Sequence, residues 1–257
     1  MKNYFKKFAF LIIYLLGKIF PRSGIPVLFF HSLDNSGSVL SILGSNFTKH
    51  MIYLKKSGYQ SLTMDEFAEN FKSQSFPKKK FSITFDDGYK NNAEAVNILK
   101  ELGFSAVVFI TTEYMGRNNS FCEQKVPVLS MLSIKEIKSL EKTGFVEFGA
   151  HGHTHRNLTD LSREEASSDI RESKRILEKE LGHGITSFCY PRGKFNREIA
   201  EELKLQGFSF AFTSETGIVS KNSLKYFLPR VPINDKVSDS QFKALLSPWY
   251  GFFKNLL

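Results

Sequence analysis

Four short apolar runs in this chain end directly in chemically reactive side chains, and that recurrence constrains the fold more than any other feature. Pro26-Val-Leu-Phe-Phe30 runs into His31, and Phe81-Ser-Ile-Thr-Phe85 runs into Asp86-Asp87. Val146 to Ala150 runs into His151-Gly-His-Thr-His155, and Ser187 to Tyr190 runs into Pro191-Arg192. Runs of this length, rich in β-formers, read as strands. Ala106 to Ile110 and Phe208 to Phe212 extend the set. Helical segments fall between them. Ser45 or Asn46 can cap a helix carrying Phe47, Met51 and Leu54, which Gly58 ends. Thr63-Met-Asp-Glu66, Ser133-Ile-Lys-Glu136 and Ser162-Arg-Glu-Glu165 each have capping-box spacing, the last opening a long helix to Leu181. Asn92 to Leu102 and Asn196 to Gln206 are also helical, and residues 112 to 130 read as a loop-rich excursion. Alternating strands and helices predict βα units around a mostly parallel sheet or barrel. In such folds chemistry gathers at the C-terminal ends of the strands. All four reactive groups fall there, from four different strands. No repeat or composition break interrupts residues 25 to 245.

The charge balance narrows the partners. Lys plus Arg number 35 against 26 acids, so the formal net charge is +9. The cations are scattered, with short clusters at Lys6-Lys7 and Lys78-Lys79-Lys80, and no nucleic-acid motif accompanies them. Nucleic acid is therefore excluded as a partner. A solvated basic surface and attraction to anionic headgroups both fit. Two cysteines, Cys122 and Cys189, cannot make a disulfide framework, and their spacing is not that of a zinc ribbon.

Lys2, Lys6 and Lys7 precede an apolar run from Phe8 to Leu16. Spanning a bilayer takes roughly 20 apolar residues, so the run is too short. It has the length of a signal-peptide core, without a clear cleavage site behind it. A membrane-interface helix, an uncleaved signal and an ordinary packed helix are the three readings, the first best matched by the basic flank. The end of the chain, Ser247 to Leu257, is also apolar and aromatic. Two such ends on a basic protein predict monotopic membrane attachment, on a side of the membrane that is not determined.

The histidines carry the chemistry. His151, His153 and His155 occupy five residues of a chain with six histidines in all, which makes a chance surface cluster a poor account. His151 and His155 are one helical turn apart, whereas an extended strand would put all three on one face. Two imidazoles and one carboxylate make a catalytic zinc set that leaves a position for water. Asp86 or Asp87 can supply the carboxylate, and the other acid can then act as general base in hydrolysis of an amide or ester. Plain helix N-caps are the alternative reading of the two acids.

Thr84-Phe-Asp-Asp-Gly88 resembles the first motif of the polysaccharide deacetylases, carbohydrate esterase family 4. Glu147 to Leu158, with His151-Gly-His-Thr-His155 inside it, resembles the second, His-Ser/Thr-x-x-His. Phe188-Cys-Tyr-Pro-Arg-Gly193 is similar to the third, and the likeness spans roughly residues 25 to 235. The resemblance implies a distorted (β/α) barrel, an α/β fold. It implies Asp86 as catalytic base, and Asp87, His151 and His155 as ligands of a divalent metal, most often Zn²⁺. It implies a backbone N–H at Arg192 that holds the oxyanion. Three departures stand out. Gly152 replaces the Ser/Thr of the second motif. Cys189 sits where many members carry an Arg that orients the base, a role left to Arg192 or Arg230. The late His that serves as general acid has no counterpart beyond His183. Some relatives resemble a circularly permuted arrangement with that His on the first strand, where this chain has His31. His50 and His183 are expected on the surface.

The resulting expectation has a membrane-interface or signal-like helix over residues 1–24, a catalytic domain over 25–240 and an apolar segment over 241–257. The function expected is metal-dependent removal of an N-acetyl or other N-acyl group from amino sugars of a surface polysaccharide or its lipid-linked precursor. A deformylase or deacylase of an undecaprenyl-linked sugar and an inactive glycan-binding module are the alternatives. The sequence leaves the oligomeric state open.

Overall fold

The computed structural model describes residues 2–19, 23–122, 126–247 and 249–250, without the side chains of residues 2–7 and 18. Its elements in chain order are α1 (Lys2–Ile19), β1 (Val27–Phe30), β2 (Ser32–Leu33), β3 (Ser41–Ile42), α2 (Gly44–Lys56), β4 (Gln60–Ser61) and α3 (Met64–Lys72). There follow β5 (Lys80–Phe85), α4 (Asn92–Leu102), β6 (Ala106–Ile110), α5 (Ile134–Glu141), β7 (Val146–Ala150) and α6 (Arg163–Leu181). The chain ends with β8 (Ser187–Cys189), α7 (Arg197–Leu205), β9 (Phe210–Thr216), β10 (Leu228–Pro232) and α8 (Asp239–Leu245).

Strands β5 to β10 pair in sequence order, and β1 closes the ring by pairing with both β10 and β5. Every pairing in the ring is parallel. The result is a seven-stranded (β/α) barrel, with β4 added outside β5. Parallel strands covered on both faces must be apolar throughout, and β1 and β6 are buried at every position. Aromatic rings fill the core: Phe30 stacks on Phe85, and Phe109 and Phe67 both meet Phe212.

The three capping boxes form as their spacing requires, at Thr63, Ser133 and Ser162. Two expectations fail. Helix α2 begins after Leu43, not at Ser45 or Asn46, and its N-terminal end is tied by Asp235, which accepts from Leu43 N and Asn46 Nδ2 at 2.9 Å each. His50 is 4% exposed, not on the surface, because it falls in the apolar stripe of Phe47, Met51 and Leu54 and stacks flat on Phe242 at 4.0 Å. His183 is exposed, as expected.

Helix α1 lies against α8, with Phe10 and Ile13 buried beside Ala244 and packed against Trp249 and Tyr250. A side chain at Gly17 would collide with the Ser247 hydroxyl, so the glycine permits this close approach. Among the described residues no helix is long and apolar enough to cross a membrane. The side chains of Lys2, Lys6 and Lys7, and the end of the chain from residue 251, lie outside the described residues.

Candidate active site

A cavity of about 330 Å³ opens at the C-terminal ends of the barrel strands. It is lined by His31, Asp86, Asp87, His151, His155 and Arg192, which brings together every site residue expected from the sequence. His31 follows β1, the two acids follow β5, the histidines follow β7, and Arg192 lies in the 3-10 turn Pro191–Gly193 after β8. Strand pairing in register is what places these loop starts around one mouth.

Backbone strain concentrates at this mouth. Asp87, His155 and Arg192 have φ of 71°, 59° and 58°, a left-handed region that costs a non-glycine residue on the order of 1–3 kcal/mol. The loop after β7 is held by Asp169 of α6. Its carboxylate accepts from His153 N at 2.7 Å, Thr154 N at 3.0 Å and the Thr154 hydroxyl at 2.5 Å. Gly152 has φ 71°, and a Cβ there would meet Asp169 Oδ1 at 2.7 Å and Pro191 Cγ at 3.1 Å. The glycine is therefore not a loss of loop support. Asp169 and Thr154 supply the support, and Gly152 makes room for it. His153 turns away, its Nδ1 2.9 Å from the Thr112 hydroxyl.

Asp86 and Asp87 have separate surroundings although they are adjacent. Asp86 receives a two-pronged ion pair from Arg230, with Nη1 to Oδ1 at 2.7 Å and Nη2 to Oδ2 at 2.6 Å. Arg230 also donates Nη1 to the Thr84 hydroxyl at 3.1 Å, Nη2 to Cys189 Sγ at 3.1 Å and Nε to Thr213 O at 2.9 Å. All five guanidinium donors are thus used, in a side chain 1% exposed. Phe29 covers the guanidinium, its ring centre 4.1 Å from Cζ. Burial, the largest single influence, pushes the Asp86 carboxyl up, but the Arg230 charge and hydrogen bonds, with His151 and His31, together hold the group below the usual carboxylate range. Of the two arginines, Arg230 of β10 is the one that holds Asp86. Arg192 instead donates Nη2 to Phe121 O at 3.3 Å. Cys189 is small enough for Arg230 to reach past it, and burial raises its thiol above the usual range.

Asp87 faces the histidines. Its Oδ1 lies 3.3 Å from His151 Nε2 and 3.0 Å from His155 Nε2, yet neither contact has hydrogen-bond geometry, and Oδ1 is buried without a partner. His151 Nδ1 sits 2.8 Å from Cys189 O, which assigns a proton to Nδ1 and points Nε2 at Asp87. An orphaned carboxylate oxygen and two imidazole nitrogens converging on one point form a donor set that suits a divalent cation. Asp86, His151 and Cys189 also lie close enough together to hold an ion. That set fails chemically, because Arg230 occupies both oxygens of Asp86 and the thiol stays protonated. Burial, the largest influence on His31, pushes its ring below the ordinary histidine value against the pull of Asp87 and Asp86.

A family model described as polysaccharide deacetylase matches residues 73–211. A poly-β-1,6-N-acetyl-D-glucosamine N-deacetylase of Staphylococcus aureus is 31% identical over 234 residues, covering 88% of this chain and 77% of that protein. The Streptococcus pyogenes deacetylase PplD, solved with acetate, superposes with a TM-score of 0.78 at 21% identity over 88% of this chain and 99% of its own. IcaB from Ammonifex degensii superposes with a TM-score of 0.77 at 24% identity over 88% and 97%. The two solved structures are similar in fold.

Proposed function

The chain belongs to the polysaccharide deacetylase family and is a hydrolase of that type, and from that premise we propose that it removes N-acetyl groups from N-acetylglucosamine units of a surface polysaccharide. The β-1,6-linked polymer of its staphylococcal relative is the first substrate to test. The observation that carries this reading is the division of labour between the adjacent acids: Asp86 ion-paired by Arg230, and Asp87 left open toward His151 and His155.

In this reading Asp87, His151 and His155 hold a divalent ion, Zn²⁺ first among the candidates. Bound there, it would lower the pKa of a water and polarise the acetyl carbonyl. The protein's own groups do the rest. Asp86 accepts the proton of the attacking water, and Arg230 keeps that carboxylate ionised and aimed. The backbone N–H of Arg192 supports the developing oxyanion. His31 hands a proton to the departing amine. Because burial disfavours its charged form, His31 must first collect that proton inside the cavity. Phe121, Val39 and Leu40 add apolar walls to the cavity.

We assign membrane attachment to α1. Phe8, Leu11, Ile12, Leu15 and Ile19 are 41–65% exposed and share one side of the helix, opposite Phe10 and Ile13. The apolar outer face fits an interface helix.

The test is mass spectrometry of a β-1,6-linked N-acetylglucosamine oligomer incubated with zinc-loaded protein. Loss of acetyl mass by the wild type, and none by Asp86→Asn, is expected. An unchanged oligomer, with acetyl loss from a different N-acylated sugar, would reassign the substrate.

A further inference from the structure

The end of the barrel opposite the active site holds a second cleft, of about 530 Å³. Its walls carry Lys56, Lys78, Lys79, Lys80 and Lys243, and no carboxylate among the described residues. The place follows from topology. Lys78 to Lys80 lead into β5, Pro26 leads into β1, and Lys56 ends α2, which runs back along the barrel. The cleft is therefore at the N-terminal ends of the strands. Two of the lysines are positioned by neighbours: Lys80 donates to Gln60 Oε1 at 2.7 Å, and the Lys243 ammonium stands 5.0 Å over the Tyr53 ring. Lys79 is held in a left-handed turn with φ 59°. Gathered ammonium groups repel one another, and an anion between them relieves the repulsion. One wall is α1 itself, through Tyr14 and Gly17. Tyr14 and Gly17 lie on the inner side of the helix with Phe10 and Ile13, so the cleft sits behind α1, one helix width from its apolar outer face.

We propose that this cleft binds the phosphate headgroups of anionic phospholipid, and that with the outer face of α1 it seats the barrel base-down on the bilayer. The inference rests on the membrane attachment proposed above, and it adds a ligand and an orientation. An apolar outer face with a basic cleft one helix width behind it matches the two layers of a bilayer surface, hydrocarbon and then anionic headgroup. A soluble anion would make use of the lysines and leave the apolar face without a partner. The orientation limits the substrate. At about 3.3 Å per residue, β1 alone separates Pro26 from His31 by roughly 16 Å. The mouth then points away from the lipid, toward a polymer beyond the surface and not toward a sugar still linked to lipid within it.

Full-length protein is sedimented with phosphatidylcholine vesicles, with and without phosphatidylglycerol. Lys56→Gln/Lys78→Gln/Lys79→Gln should weaken binding to the anionic vesicles about 100-fold. A charge-matched control at Lys135, Lys221 and Lys236, exposed and outside the cleft, should bind as the wild type does. Equal losses in both variants would reduce the effect to net charge and overturn the site. Calorimetric binding of glycerol 1-phosphate without vesicle binding would assign the cleft to a soluble phosphate and overturn the lipid. Orientation is read from Trp249, the one tryptophan in the chain, which packs against α1. Brominated lipid should quench it, and should leave Val128→Trp, an exposed position two residues from the cavity-lining Val126, unquenched in a Trp249→Phe background. The reverse pattern overturns the orientation. Deacetylation of a soluble oligomer is measured alongside and should be unchanged in the lysine variants. Loss of that activity in the wild type would count against the hydrolase reading alone.

Discussion

The two ends of this barrel treat charge in opposite ways. At the mouth, Asp86, Asp87, His151 and Arg230 are each at most 4% exposed, and every Arg230 donor and both Asp86 oxygens are committed to a partner. At the base, Lys56, Lys78 and Lys79 stand in solvent with no acid lining their cleft. Buried charge is tolerated only when paired, and removing one partner strands the other. Exposed charge is screened, and its loss is felt chiefly by a ligand. The mouth should therefore break catalytically and structurally when touched, whereas the base should change what the protein binds and little else.

The sharpest test lies within the mouth. Asp86→Asn should lower turnover about 10²–10⁴-fold while retaining metal, as expected for loss of a general base. Asp87→Asn should lose metal and turnover together. Metal content measured beside steady-state rates separates the two, and metal loss in Asp86→Asn with retention in Asp87→Asn would exchange the roles. Arg230→Met leaves a buried carboxylate without its cation, so denaturant unfolding should show a loss of about 3–5 kcal/mol. A cost near zero would mean that water replaces the guanidinium.

One source of acid sensitivity should lie outside both ends. Burial lowers the His50 pKa to about 4, from 6.5, against the pull of Asp239. A histidine whose folded value is depressed contributes full stability above its unfolded value. That contribution is lost as pH falls from 6.5 toward 4. Over this window the wild type should lose about 2–3 kcal/mol more than His50→Gln. Parallel pH–stability curves would show that another group sets the slope.

Gly152→Ser restores the family's usual residue and should nonetheless destabilise by about 1–3 kcal/mol, through the left-handed backbone and the Asp169 contact. An unchanged melting temperature would mean that the loop yields at no cost. The smallest effect belongs to the base. The triple lysine variant should unfold within about 0.5 kcal/mol of the wild type, and a larger shift would give those lysines a structural role.

Much of this was legible in sequence because parallel strands buried on both faces leave unbroken apolar runs. Strands β5, β6 and β7 were located to within a residue for that reason. Strand β10 was not read as a strand, because Pro229 and Pro232 remove backbone donors within it. The site acids and histidines were visible because each follows a strand directly. Arg230 was visible only as one of two arginines. What selects it is the small side chain of Cys189 on β8, two strands away across β9, a spatial fact with no local signature. The anchoring of α2 by Asp235 is hidden in the same way, about 190 residues from the helix it serves. The burial of His50 is legible too, since the spacing of Phe47, Met51 and Leu54 puts position 50 on the inner side of α2.

Arg230 lies 144 residues after Asp86, on the last strand of the ring, and that strand pairs with the first. Until β10 inserts, Asp86 has no counterion and the barrel has a gap between β9 and β1. Closing a ring over so long a separation is slow relative to forming local helices. Ring closure and the pairing of Asp86 with Arg230 are therefore one event. A nascent chain that has emerged only as far as β9 holds the histidines and both acids but lacks Arg230, the partner that the proposed mechanism requires at Asp86.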